Sequence, residues 1–231
     1  MNAERNVAQE LILSLHGIGS PHGGVAADEA YFWVTEHAFV GLLESIVAEK
    51  AISGISPIIT FDDGNSSDAA IALPELVRRG LKAEFFVCAN RIGNPHYLDR
   101  VALADLISAG MEIGTHGMDH RNWRGLNETT LDAEVGEARR RIEDICGVAV
   151  TKAAIPFGSY DRRVLERLRR ERLACVYTSD RGLARSGAWL KPRDTMDSTW
   201  LESDIERVLG NKPSLKAILR RNCAMLYKSL R

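Results

Sequence analysis

Apolar residues along this chain fall into two alternating patterns. Short continuous runs read as buried strands, and longer runs with apolar positions three and four apart read as amphipathic helices. Leu11-Ile12-Leu13-Ser14-Leu15-His16 predicts a first strand, closed by Gly17, Gly19 and Pro21. From Val34 to Lys50, Phe39, Leu42, Leu43, Ile46 and Val47 fall at helical spacing, with Thr35 as the N-cap. Pro57–Phe61 predicts a second strand, and a helix runs from near Asp68 past Leu76 and Val77 to Gly80. Ala83–Cys88 and Met111–Thr115 read as strands on either side of a helix from Asp99 to Ala109. The longest helix spans about Glu128 to Cys146, opening on Asn127 and stopped by Gly147. Val148–Ile155 is a further strand ended by Pro156 and Gly158, and a helix over Arg162–Arg170 leads to a strand at Ala174–Thr178.

Strands and helices alternating at this pace imply α/β architecture with a mostly parallel sheet. The expected form is a deformed (β/α) barrel. An open doubly wound sheet gives the same alternation, so closure is left to the structure. In both, chemistry belongs at the C-terminal ends of the strands. The 231 residues match one such domain, and residues 1–210 are read as the catalytic domain. Residues 211–231 are read as a basic amphipathic helix packed on it. From Arg207 to Arg231 there are seven Lys or Arg and no Asp or Glu. Leu215, Ile218, Leu219, Leu226 and Leu230 form an apolar stripe within that stretch. This pattern is read first as a terminal helix packed on the domain with a solvated basic face, and only second as a peripheral contact with an anionic membrane surface.

A formal net charge of −1 gives no reason to expect a nucleic-acid partner. The polar start, Met1–Asn6, and the short run Leu11–Leu15 do not make a signal peptide. No stretch approaches the roughly 20 apolar residues that cross a bilayer. Cys88, Cys146, Cys175 and Cys223 are scattered, and Cys88 and Cys175 sit in apolar runs as buried thiols. These features predict a reduced, cytoplasmic protein of undefined oligomeric state.

Two short stretches at strand ends carry the chemistry: Thr60-Phe61-Asp62-Asp63-Gly64 and Gly114-Thr115-His116-Gly117-Met118-Asp119-His120. One carboxylate and two imidazoles hold a divalent metal with positions left open for water, and the second carboxylate is then free to act as a base. Adjacent strand residues point apart, so one aspartate can ligate while the other faces the reacting centre. The glycines around His116 and His120 predict a strand-to-helix turn. Ile155-Pro156-Phe157-Gly158 either starts the next helix or offers the Phe157 N–H to an oxyanion. His16, at the end of the first strand, is a candidate general acid.

Other polar residues are weaker candidates. His22 lies near His16 and is placed at the cleft, His37 and His96 at the surface. Trp33 and Trp123 are read as core or rim packing, with stacking on a substrate ring as the alternative. Asp180, after a strand, is a candidate to hold a site residue.

This set resembles the polysaccharide deacetylase family, the NodB homology domain of carbohydrate esterase family four. The resemblance runs from about Leu11 to Arg193. Thr60–Gly64 matches the family's first motif. His116–His120 matches its H-x-x-x-H metal motif, with Gly117 where Ser or Thr is usual, and Ile155–Gly158 keeps the Pro-x-Gly of the third. Where the family carries an Arg two places before that proline, this chain has Ala154, and Arg193 is the candidate replacement. The family's closing L-x-H strand is missing, since no histidine follows His120. Leu13-Ser14-Leu15-His16 is its nearest equivalent, as in circularly permuted branches.

The resemblance implies zinc-dependent removal of acetyl groups from N-acetylated sugars or polysaccharides. Zn2+ is expected on Asp63, His116 and His120, with Co2+, Ni2+ or Mn2+ as alternatives. Asp62 is expected as the base, His16 as the acid and the Phe157 N–H as the oxyanion donor. The alternatives are a catalytically silent sugar-binding protein of the same fold and a metal-dependent amidase acting on a non-sugar amide.

Overall fold

The computed structural model describes residues 8–54, 56–210 and 215–230. Met1–Asn6, positions 211–214 and the side chains of Leu215 and Ile218 lie outside the described residues. The chain opens with β1 (Gln9–Glu10) and β2 (Ile12–Leu15), then α1 (Ala27–Ala30) and α2 (Glu36–Ser53). β3 (Ile58–Asp63) passes through a π-helical turn at Asp68–Ala72 into α3 (Leu73–Arg78). β4 (Ala83–Val87), α4 (Arg100–Ser108) and β5 (Glu112–Thr115) follow. The longest helical stretch joins α5 (Glu128–Asp132), a π-helical turn at Ala133–Glu137 and α6 (Ala138–Cys146). Then come β6 (Lys152–Ala154), α7 (Arg162–Arg170), β7 (Cys175–Thr178) and β8 (Ala184–Arg185). β9 (Leu190–Pro192), β10 (Asp194–Thr195), α8 (Glu202–Gly210) and α9 (Leu215–Leu230) complete the chain.

Eight strands form one parallel sheet in the order β10-β2-β3-β4-β5-β6-β7-β9. Its outer strands are consecutive in sequence, with only Arg193 between them: β9 pairs with β7 and β10 with β2. One segment thus supplies both edges. The sheet is therefore a nearly closed, deformed (β/α) barrel, which answers the question the alternation left open. β1 and β8 form a separate antiparallel pair.

Alternation along β3 separates packing from chemistry. Phe61 stacks on Phe85 at 4.7 Å and meets Phe39 of α2 edge-on, within a core that includes Leu42, Leu43 and Ile46. Thr60 and Asp62 take the opposite face, as a period of two requires. Helix starts follow the local chemistry of their caps: Thr35, Asp99, Asn127 and Asp161 each accept an N–H three residues on, at 2.8–3.1 Å. Each such cap is worth about 1 kcal/mol.

Some boundaries differ from the sequence expectation. The second strand continues past Phe61 to Asp63 because its last residues are polar but buried. The strand expected over Val148–Ile155 contracts to Lys152–Ala154. Val47, placed on the apolar face of α2, is exposed, since the core is filled by the residues around it. Cys88 and Cys175 are buried free thiols.

Candidate metal centre and active-site cleft

Three parallel strands deliver the site. Asp62 and Asp63 end β3, His116 follows β5, and Ala154 ends β6, all at the C-terminal edge of the sheet. The aspartates do not simply diverge as adjacent strand residues should. Asp63 has φ +77°, which turns its carboxylate back towards the same mouth. His116 Nε2 consequently lies 3.9 Å from Asp62 Oδ2 and 3.8 Å from Asp63 Oδ1. His120 (φ +56°) and Phe157 (φ +57°) also hold left-handed backbone. Non-glycine residues in this region cost of order 1–3 kcal/mol each and concentrate at functional sites.

The histidine tautomers follow from their partners. The Nδ1 of His116 lies 2.9 Å from the Ala154 carbonyl, which can only accept, so Nδ1 carries the hydrogen and Nε2 keeps its lone pair. His120 Nδ1 lies 2.8 Å from Glu29 Oε1, and its Nε2 stands 3.3 Å from Asp63 Oδ1. Asp63 Oδ1 is buried and accepts no hydrogen bond, although the Arg91 guanidinium stands 3.2 Å away. Single donor atoms of Asp63, His116 and His120 all lie within 4.8 Å of one another. One orphaned carboxylate oxygen and two aimed imidazole lone pairs fit a divalent ion that takes N and O donors.

Electrostatics divide the roles further. Burial works against the charged form of Asp62, but Arg193 and His116 overcome it and hold the carboxyl well below the usual carboxylate range. Burial, only partly offset by Asp62, lowers His116 to about 4 and keeps it neutral. Burial lowers His120 too, yet its hydrogen bond to Glu29 and the charge of Asp63 bring it above the ordinary histidine value. The same hydrogen bond, against the effect of burial, lowers Glu29 to about 2.

Arg193 is fully buried and donates to both oxygens of Asp62, at 2.8 and 2.6 Å, and to Thr60 Oγ1 at 3.0 Å. Its guanidinium lies over the rings of Phe86 and Tyr177, at 5.6 Å from each. Ala154 belongs to the same buried cluster as those two rings. The arginine missing at position 154 is thus replaced from the segment that closes the barrel.

The loop carrying the two histidines is shaped from below. No helix starts after His116; residues 116–127 form an extended loop, and α5 begins only at Glu128. Buried Glu134 accepts the N–H groups of Met118 (3.0 Å) and Asp119 (3.2 Å) and the indole N–H of Trp123 (3.3 Å). It does so from the π-helical turn, a feature frequent at functional sites. Gly117 has φ +92°, and a Cβ there would meet Glu134 Oε2 at 2.6 Å. This is the physical reason glycine stands in that motif position.

The cleft above these residues has a volume of about 290 Å³, and its lining includes His16, Glu29, Phe32, Phe157 and Arg181 as well as Asp62, His116 and His120. His16 stacks on Phe32 at 5.0 Å, and its Nδ1 is buried without a partner. Phe157 packs its ring against His120 at 4.5 Å.

The remaining candidates go elsewhere. His22 stacks on His96 at 4.4 Å and does not line the cleft. His37 and His96 are exposed. Trp123 is buried on Glu134, and Trp33 packs over Gly17, where a Cβ would meet its ring at 2.1 Å. Neither tryptophan presents a face to a sugar. Asp180 accepts from Tyr160 (2.9 Å) and Thr178 (2.8 Å) and pairs with Lys228.

Sequence reasoning missed Glu29, Arg91, Glu134 and Asp68. Asp68 is fully buried with both oxygens unpartnered; burial and the charges of Asp63 and Asp62 push its carboxyl well above the usual range. For Glu29 no local sequence pattern pointed to the site; it lies in α1, which the fold brings against His120.

The fold and site define a parallel barrel with a candidate site for a divalent metal at the strand ends. Residues 53–176 match the polysaccharide deacetylase family model, more than half the chain, and the protein belongs to that family. It is 26% identical over 139 residues to the polysaccharide deacetylase homologue YxkH of Bacillus subtilis (strain 168), covering 60% of this chain and 50% of that protein. It is 27% identical over 117 residues to chitin deacetylase 1 of Cryptococcus neoformans var. grubii, covering 50% of this chain and 23% of that protein. The chain thus spans half the length, or less, of these curated relatives. In fold it is similar to the Streptococcus pyogenes deacetylase PplD solved with acetate, with TM-score 0.76 and 17% identity over 89% of this chain and 99% of that one.

Proposed function

We propose that this protein is a zinc-dependent hydrolase that removes the acetyl group from an N-acetylated sugar of an oligo- or polysaccharide. Asp63 Oδ1, His116 Nε2 and His120 Nε2 are the residues to hold the ion. Bound there, zinc supplies Lewis acidity for the acetyl carbonyl and lowers the pKa of a coordinated water from 15.7 to about 7. Asp62, kept ionised and fixed by two N–H donors of Arg193, takes the proton of the attacking water. A carboxylate held so far below the usual range is a weak base, so it needs an acidified water. The Phe157 N–H is offered to the developing oxyanion, where losing one donor typically costs about 3–4 kcal/mol. His16, on the cleft wall, hands a proton to the leaving amine.

One observation carries this reading: three metal donors lie within 4.8 Å of one another beside a carboxylate gripped by a buried arginine. The names of the relatives support the substrate class, since chitin is a polymer of N-acetylated sugar. A silent sugar-binding protein rests on the missing motif-three arginine and on the loose match at His16; the grip of Arg193 on Asp62 weighs against the first ground, and the His16 variant tests the second. The test is acetate release from N-acetylated oligosaccharides by the metal-loaded and the chelator-stripped protein, with small non-sugar amides in parallel. Equal release with and without metal refutes the zinc mechanism, and turnover of small amides alone refutes the sugar substrate.

A further inference from the structure

Besides its histidines, the cleft is lined by the charged side chains Asp28, Glu29, Asp62 and Arg181. Three of these have a counterpart within the protein. Asp62 is held by Arg193, and Glu29 pairs with His120 and Arg91. Asp28 sits in the first turn of α1, where the free N–H groups of a helix start favour a carboxylate. Arg181 is different. It is exposed, and among the described residues its guanidinium makes no ion pair or hydrogen bond. Asp194 feels its charge without pairing with it, and commits one oxygen, at 3.0 Å, to the N–H of Gly182.

The backbone beneath this side chain is both strained and fixed. Arg181 has φ +59°, in the left-handed region that glycine adopts freely and a residue with a Cβ does not. Its N–H donates to the Arg193 carbonyl at 3.1 Å, so the residue is anchored to the segment that grips Asp62. A position that glycine would fill with less strain thus carries a cation without a partner, and backbone strain of this kind concentrates at functional sites. Ser179, two residues earlier, and Thr195, at the end of β10, also line the cleft and bring hydroxyl donors. A guanidinium fork beside hydroxyls suits the oxyanion of a carboxylate or a phosphate. Arg181 and the two metal-binding histidines line one cleft of about 290 Å³, so that oxyanion belongs on the sugar ring that presents the acetamido group.

We infer that Arg181 is a specificity-determining residue and that the preferred substrate is an acetamido sugar carrying a carboxylate or phosphate group. Turnover of such a sugar rests on the deacetylase reading; the binding of its anion by Arg181 does not.

Acetate release by the zinc-loaded protein should be compared for neutral N-acetylglucosamine, its 1-phosphate and 6-phosphate, and N-acetylmuramic acid, which bears a carboxylate. At least one anionic sugar should exceed the neutral one tenfold or more in kcat/KM, chiefly through a lower KM, and the sugar that does so tells phosphate from carboxylate. Arg181→Ala should cut this preference at least tenfold, and Arg181→Lys should keep part of it. Arg181→Gly should lose the preference yet melt no lower than wild type, because it relieves the left-handed backbone. Calorimetric titration of metal-free protein with the same sugars reads the anion site without turnover. Wild type should bind the preferred anionic sugar at least tenfold more tightly than N-acetylglucosamine, and Arg181→Ala should not. Equal kcat/KM for neutral and anionic sugars, or a preference that survives in Arg181→Ala, overturns the inference and leaves the deacetylase reading standing. Equal binding of neutral and anionic sugars in the titration overturns it too. A glycine variant that melts well below wild type assigns Arg181 to the fold, with the same consequence. Binding that depends on Arg181 without acetate release from any sugar upholds the anion site, and it is then the deacetylase reading that fails.

Discussion

Arg193 grips both carboxylate oxygens of Asp62 from the single residue that separates β9 from β10. Barrel closure and the geometry of the candidate site therefore depend on the same side chain. The peptide N–H of Arg193 donates to the Thr178 carbonyl and its carbonyl accepts from Arg181, so the backbone that positions the guanidinium is itself fixed.

Replacing Arg193 by Ala leaves a buried carboxylate without its counter-charge, a change that typically costs about 3–5 kcal/mol. The pH dependence has a definite sign. Asp62 has a depressed folded value, so its stabilising contribution is full above the unfolded value of about 3.9 and is lost as pH falls towards the folded one. In Arg193→Ala that contribution disappears, and the acid limb of kcat/KM moves to higher pH because Asp62 now protonates more readily. Melting curves and pH–rate profiles of Arg193→Ala beside Arg193→Lys check this. An unmoved acid limb in the alanine variant separates Arg193 from the base.

His116→Ala removes one of three donors and should abolish both metal retention and turnover. In the wild-type protein, metal affinity should fall in two stages as pH is lowered. The first stage tracks His120, whose value lies above the ordinary one, because the ion must displace its proton. The second waits until about 4, where His116 protonates. Chelator competition across pH reads both stages. A single stage near 4 shows that His120 is not a ligand.

How much of this was legible in the sequence depends on range. Strand and helix order followed from local apolar periodicity, and Asp62, Asp63, His116 and His120 stood out because their motifs are contiguous. The closure at Arg193 did not, because β9 and β10 are too short to make a hydrophobic run and β10 pairs with β2, near the other end of the chain, as in Asp194 with Leu13. Glu134 reads as an ordinary acid of an amphipathic helix; only the π-helical turn aims it at the histidine loop. Which side of α9 meets the domain was not legible either: among the described side chains Arg221 and Lys228 contact it, while Leu219, Leu226 and Leu230 are exposed.

His16→Ala should leave metal content unchanged and lower kcat by about 10²–10⁴, the usual contribution of a positioned acid or base. His16 touches Phe32 and none of the three ligand donors in the contacts above, so its loss removes a proton donor without disturbing the centre. Metal content by elemental analysis and kcat on an N-acetylated oligosaccharide decide it. A variant with normal kcat shows that the first strand does not supply the acid.

Glu29 lies outside the segment matched by the family model, yet it accepts from the Nδ1 side of His120 and fixes which ring nitrogen faces Asp63. Outer partners of this kind typically change metal affinity by about 10–100-fold. Glu29→Gln keeps the shape but loses the anion, so affinity should fall within that range while the fold persists. Because its folded value is about 2, the stabilisation Glu29 gives is complete above the unfolded value of about 4.3 and disappears as pH drops towards 2. The variant should therefore melt like wild type in strong acid and below it at neutral pH, in metal-free protein. Chelator competition and melting at two pH values test the two halves separately. Unchanged metal affinity assigns Glu29 to structure alone, and an identical melting difference at both pH values removes its charge from the account.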